Sequence, residues 1–376
     1  MKNSIVILLS FCITSLKAQE IPSFTVSKDR QFHYLTHRKA EALKGDFPFS
    51  LYVYKSKKKQ CAKNSFQIIN EFNKIIKDSL FLKQLDWLQS SVEDSILSKD
   101  LYVVLDDFGE NPHFLSFYVH QVLKKPIDLI SIDCLTRSQP YWSTYLIHEL
   151  THYILRKKNL PSWFEEGLAQ TIEINLQGSR PLLSINRLKE SHKIPDFFIE
   201  PKPFKDPLSY GMSFLFVNYL KNHFGGEALL KEMIRSSYSK NFLKETITSI
   251  ANKDSLNLSS EVKEKFTPLG ILRHFAAAFA IGNSKKEFFD IQYWKGFSWS
   301  INFPKRKEMI QPMGFRIYSG TRRPFSVNSE LEYYQVFHSF EQYQFLPGIE
   351  RRNRDPLFYL ILNPTLKPLP VGGAEF

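Results

Sequence analysis

In the run LIHELTHYIL (146–155), His148 and His152 stand four residues apart, and Glu149 directly follows the first. On a helix, residues i and i+4 share a face one turn apart, so both imidazoles can aim at a common point. A neutral imidazole is a good ligand for Zn²⁺. Glu149 leaves such a helix about 100° round from His148, beside the ion and not on it. That placement suits a carboxylate that takes a proton from metal-activated water. The spacing therefore supplies two ligands and a base, the pattern H-E-x-x-H. Leu146, Ile147, Leu150, Tyr153, Ile154 and Leu155 surround the histidines with apolar side chains. Imidazoles there are poorly solvated unless they bind something.

A catalytic zinc usually takes three protein ligands and keeps one position open. A third histidine in the same run would need Gly at 155 and His at 158, but those residues are Leu155 and Lys158. The next acids are Glu165, Glu166 and Glu173, on a helix opening with LPSWFEEGLAQ (160–170). Ser162 and Glu165 have the S-x-x-E spacing of a capping box, which gives Glu165 a structural task at the helix mouth. Glu166 points elsewhere and is free to ligate, with Glu165 and Glu173 as the alternatives. Gly167, just after it, would let this helix approach the histidine helix closely.

His148, Glu149 and His152, followed by P-S-W-F-E-E-G-L-A (161–169), resemble the gluzincin metallopeptidases. These are the thermolysin-like zinc peptidases, above all the compact bacterial members with a P-x-W-x-x-E-G-x-A segment. The resemblance covers roughly 100–235, including a strand before the zinc helix (126–133) and a later helix, YGMSFLFVNYLKNHFGGEALLKEMI (210–234). It implies Zn²⁺ held by His148, His152 and Glu166, with Glu149 as general base in peptide hydrolysis. The strand before the zinc helix lies along the substrate in such enzymes. Tyr210 is the candidate donor to the oxyanion, by position and by resemblance. Larger members carry an Asp four residues after the ligand Glu, steadying a zinc-bound histidine. Here that position is Gln170, whose amide oxygen can still accept from an imidazole N–H.

These residues need elements to position them. FPFSLYVYKS (47–56), DLYVVLDD (100–107) and PIDLISID (126–133) read as strands. AKNSFQIINEFNKIIKDSLFLKQL (62–85) reads as largely helical, and QPYWSTYLIHELTHYILRKK (139–158) as the histidine helix, ending in basic residues. A second helix is expected near Pro161 and a third near Asp206. His223 precedes Phe224-Gly225-Gly226 at the end of that third helix, where a cation is favoured. His192 and His274 lack a partner pattern.

From about residue 285 the texture changes. Residues 286–376 hold 19 of the 55 aromatics, in short runs such as SWSINF, GFRIYS, YYQVFHSF and FYLILN. This predicts a β-rich module, a small sandwich, whose aromatics form a core. The expected architecture is α+β: a signal peptide (1–18), a zincin-like domain over 19–265 with a small mixed sheet, and a β-rich module over 266–376.

MKNSIVILLSFCITSLKAQE has the layout of a secretory signal peptide, with Lys2, an apolar run and Ala18 before polar residues. No later apolar run reaches membrane-spanning length; ILRHFAAAFAIG (271–282) is short and carries Arg273 and His274. The mature chain is therefore expected outside the cytoplasm, periplasmic or secreted. It retains Cys61 and Cys134, which can form one disulfide or remain buried thiols. The net charge of +12 falls to +10 without Lys2 and Lys17, and basic runs such as KSKKK (55–59) and RRNR (351–354) are scattered. They read as solvated surface, not as a nucleic-acid face. The expected partner is a peptide or protein substrate. The competing reading is a degenerate scaffold that binds envelope proteins or glycans through the aromatic module; Glu149 argues against it, because a structural zinc needs no base.

Overall fold

Runs rich in aliphatic and aromatic residues build the central strands of the first sheet. Its strands are β1 (Ser23–Phe24), β2 (Arg38–Ala42), β3 (Ser50–Tyr54), β4 (Leu101–Asp106), β5 (His113–Val119) and β6 (Pro126–Asp133). The order is β1-β2-β3-β4-β6-β5. Strands β3, β4 and β6 run parallel, and β1, β2 and β5 make antiparallel pairings. A parallel pair needs a long crossover, and helices α1 (Lys59–Ile75) and α2 (Ser79–Val92) fill the chain between β3 and β4. In β6, Leu129, Ile130, Ser131 and Ile132 are all buried, as in a strand covered on both faces.

The computed structural model describes residues 23–24, 38–42, 50–54, 59–75, 77–92, 101–106, 113–119, 126–134, 142–176, 180–191, 195, 207–236, 241–251, 256, 258–281, 308–310, 315–318, 330–339, 342–347, 358–363 and 369–371. The expected signal peptide, His192, SWSINF, RRNR and most of KSKKK lie outside the described residues. Among those described, no helix is long and apolar enough to cross a membrane.

The stretch 62–85 is largely helical, as expected, and it is divided into two helices because Asp78 Oδ1 accepts from the backbone N–H groups of Leu80 (2.8 Å) and Phe81 (3.0 Å). A side chain capping two N–H groups starts a new helix. The strand before the histidine helix, β6, does not have a free side: β4 pairs with one edge and β5 with the other. Among the described residues the outer strand on this side is β5, and the runs read as strands in the sequence did not include it.

Next come α3 (Trp142–Leu155), α4 (Ser162–Asn175), α5 (Arg180–Ser191), α6 (Pro207–His223), α7 (Gly226–Arg235), α8 (Phe242–Ala251), α9 (Ser260–Lys265) and α10 (Pro268–Ile281). The helix α3 packs on β5 and β6, and its end is tied down by Arg156, whose Nη2 lies 3.0 Å from Asp128 Oδ2. The guanidinium also covers the ring of Tyr153. Asn159 then takes a positive φ of 48°, a conformation Asn tolerates better than most residues, and the chain reverses into α4.

The centre of the helical layer is α6, buried continuously from Gly211 to Leu220. Glycine makes this possible at two contacts. A Cβ on Gly167 would come within 2.5 Å of Ser213 O and Val217 Cγ2, both on α6. A Cβ on Gly211 would meet Ser184 O of α5 at 2.8 Å. Gly167 therefore serves the packing of α4 on α6, not on the histidine helix as its position suggested.

The C-terminal part contains β7 (Glu308–Ile310), β8 (Phe315–Tyr318), β9 (Glu332–Ser339), β10 (Gln342–Pro347), β11 (Phe358–Leu362) and β12 (Leu369–Val371). Four strands form an antiparallel sheet, β10-β9-β11-β8, and β12 pairs with β7. Asn363 Nδ2 donates to Ile310 O at 2.8 Å, joining the two. Phe315 packs edge-on against Phe275 and Phe279 of α10, with centroids 6.0 Å away in each case. Phe315, Ile317, Tyr334, Leu360 and Leu362 belong to the same buried cluster as the helical core. The molecule is thus α+β, and these aromatics of the β-rich part are core.

Candidate metal centre

One turn of α3 brings His148 and His152 together, with ring centroids 4.9 Å apart and their Nε2 atoms at 3.2 Å. Glu166, in the second turn of α4, reaches both: Oε2 lies 3.4 Å from His148 Nε2, and Oε1 lies 3.5 Å from His152 Nε2. A tetrahedral ion with ligands at 2.0–2.1 Å holds its donors about 3.3–3.4 Å apart. The Nε2–Nε2 separation and the approach of one Glu166 oxygen to each imidazole lie close to that value, and one ligand atom from each residue falls within 4.8 Å of the others. Glu166 Oε2 is also buried and makes no hydrogen bond, so the donor set has capacity that the protein does not consume. Imidazole nitrogen and carboxylate oxygen are the donors a borderline divalent ion prefers. Among the described residues this is the one group of three or more such side chains that could hold a metal. The expected trio is brought together.

The far sides of the histidines show what the sequence reading missed. His152 Nδ1 lies 2.8 Å from Glu165 Oε1. The expected capping box is absent: the N-cap is Pro161, without a side-chain cap, and Ser162 is already inside the helix. Glu165, released from that task, turns to the histidine. His148 Nδ1 lies 3.2 Å from Glu173 Oε2, within ion-pair reach but without a hydrogen bond. Glu173 stands seven residues after Glu166, within about 20° of two full turns, so both acids share a face of α4. That spacing was available in the sequence as a signal. Gln170 does not support a histidine; its Nε2 donates to the carbonyls of Glu166 (3.3 Å) and Tyr210 (3.1 Å).

Burial and charge compete at this centre. Burial alone would push the His152 pKa down, but the charge of Glu166 and the hydrogen bond that His152 donates to Glu165 leave it well above its ordinary value. Burial would raise the Glu166 pKa, yet the charge of His152 and the closeness of both imidazoles hold it far below the usual carboxylate range. The two groups therefore favour the charged pair.

Glu149 follows His148 on α3 and is only 3% exposed. Its carboxylate makes no hydrogen bond or ion pair among the described residues. Tyr210 lies in the first turn of α6, half-buried, with its carbonyl bound to Gln170 one turn beyond Glu166. His223 closes α6 and packs against Tyr219, ring centroids 4.6 Å apart, away from the centre.

No family model matches the sequence, and no curated protein matches it.

Proposed function

We propose that this chain is an exported zinc-dependent peptidase of the gluzincin type, with a zincin-like catalytic part. The observation that carries the reading is the convergence of His148 Nε2, His152 Nε2 and the Glu166 carboxylate within 3.2–3.5 Å of one another. His148, His152 and Glu166 hold the ion. A divalent zinc in this position supplies Lewis acidity, which acidifies water and polarises a carbonyl.

The remaining work falls to the protein. Glu149 takes a proton from the attacking water as the C–O bond forms, and then passes it to the departing amine as the C–N bond breaks. Its burial beside His148 without a protein partner keeps its oxygens available for that exchange. Tyr210 donates to the oxygen that gains charge in the transition state. The outer strand β5, against which α3 packs, offers backbone groups to an extended peptide that adds as a further strand.

Export rests on the signal-like leader and on Cys134, which is disulfide-bonded. Disulfides persist in oxidising compartments. Asn64 Nδ2 donates to Cys134 O at 2.7 Å, holding α1, the helix that carries Cys61, against the end of β6.

The deciding experiment compares the mature chain with Glu149→Gln for metal content and for cleavage of casein and a peptide library. Cleavage by the wild type, and its loss in Glu149→Gln with zinc retained, is the expected result. Zinc binding with no cleavage by either protein would overturn the peptidase reading.

A further inference from the structure

The helix α4 presents three carboxylates to the two histidines of α3, and they divide between the two sides of the rings. Glu166 faces both Nε2 atoms, at 3.4 and 3.5 Å. Glu165 and Glu173 face the Nδ1 atoms, one for each histidine, at 2.8 and 3.2 Å. The helices run in opposite senses here, so the earlier histidine meets the later acid. An imidazole that donates Nδ1–H to an acceptor keeps its lone pair on Nε2, with the ring orientation fixed.

We infer that Glu165 and Glu173 are paired positioning residues: Glu165 accepts the Nδ1–H of His152, Glu173 places its carboxylate 3.2 Å from His148 Nδ1, and both Nε2 atoms are thereby turned toward Glu166. The inference rests on reading His148, His152 and Glu166 as a metal site. It goes beyond that reading by assigning two residues outside the ligand set to the retention of the ion.

The two acids differ in geometry, since only Glu165 makes the hydrogen bond, and in burial, which sets their rank. The Glu173 side chain is fully buried, whereas that of Glu165 is 25% exposed. Water can take over part of Glu165's role but has no access to Glu173. Glutamine keeps the shape and an acceptor oxygen while removing the charge, so Glu→Gln isolates the electrostatic part. Loss of such an outer partner typically weakens metal binding by about 10–100-fold. Glu173→Gln belongs at the upper end of that range and Glu165→Gln at the lower end.

The test uses the full mature chain, wild type and both variants, with Glu190→Gln on the exposed side of α5 as control. Zinc affinity is measured by competition with a chromogenic chelator, and the Co²⁺-loaded proteins are compared by visible absorption, with circular dichroism as a check on folding. Weakened zinc binding in both variants, Glu173→Gln the weaker, with a changed Co²⁺ spectrum and an unaffected control, is the expected result. Affinities within twofold of wild type and unchanged spectra would overturn the inference while leaving the metal site standing. If Glu173→Gln fails to fold, Glu165→Gln decides: weaker binding with an altered spectrum supports the inference, and wild-type behaviour overturns it. A wild-type chain that takes up no zinc overturns both the inference and the site beneath it.

Discussion

Arg156 Nη2 and Asp128 Oδ2, 3.0 Å apart and both mostly shielded from solvent, pin the C-terminal end of α3 to β6 of the mixed sheet. Arg156 lies one turn beyond His152, so this bond fixes the part of the helix that aims the second imidazole. Removing one partner of a shielded pair leaves the other charge uncompensated. Asp128→Ala should lower stability by about 3 kcal/mol. Denaturant unfolding measures the loss, and a chain of unchanged midpoint would show the bond to be idle.

Gly167 separates Glu166 from the packing surface of α6. With Ser213 O and Val217 Cγ2 each 2.5 Å from an added Cβ, Gly167→Ala forces α4 to move, because the backbone oxygen cannot rotate away. Overpacking of this kind costs about 1–3 kcal/mol. The displacement also carries Glu166, the adjacent residue, off the histidines. Reduced zinc affinity together with a lower melting temperature is expected; a stable variant with full affinity would refute the packing argument.

Metal binding should release a proton. The metal-free centre favours protonated His152 beside ionised Glu166, since the histidine pKa is raised and the glutamate pKa lowered. The ion requires a neutral imidazole, so it displaces that proton, and affinity rises with pH until the raised His152 value is passed. Calorimetry in buffers of different ionisation enthalpy should show release of up to about one proton at neutral pH.

For the metal-free protein the signs are opposite for the two groups. The His152 contribution is fully present below its ordinary value of 6.5 and disappears as pH rises through the raised one. The Glu166 contribution is present above 4.5 and disappears on acidification through its lowered value. Melting temperatures of chelated protein should therefore be highest on the acid side of neutrality, between those limits. A monotonic rise into the alkaline range would contradict the charged pair.

Phe315 is the anchor of the C-terminal sheet on α10, seated against Phe275 and Phe279 and fully buried. Arg273 adds an ion pair to Glu332 at 3.3 Å and covers the ring of Tyr334. Because this sheet shares its core with the helices, Phe315→Ala should destabilise by about 3–5 kcal/mol in a single cooperative transition. Two separated transitions would mean that the sheet melts alone.

What the sequence made legible follows from periodicity and from spacing within single helices. The four-residue step from His148 to His152 fixes their common face without tertiary information, and the strands β3, β4 and β6 were legible from their short runs rich in aliphatic and aromatic residues. Relationships between elements were harder. Ser162-x-x-Glu165 has the letters of a capping box, but Pro161 occupies the cap, and the neighbouring helix α3 offers Glu165 a better partner. Gln170 stands where an orienting acid was expected, while the buried acid is one turn further, at Glu173. The place of β5 at the rim depends on strand order, which a local pattern does not carry. The helix α5 went unpredicted, its run RPLLSINRLKES mixing charge and apolar residues evenly.

The most direct test is diffraction from crystals of the mature chain grown with zinc, using anomalous scattering at the zinc edge. A single strong peak is expected at about 2.0–2.1 Å from His148 Nε2, His152 Nε2 and a Glu166 oxygen. A zinc-replete crystal without a peak between these three side chains, or with Glu166 turned away from it, would contradict the metal centre and the peptidase built on it.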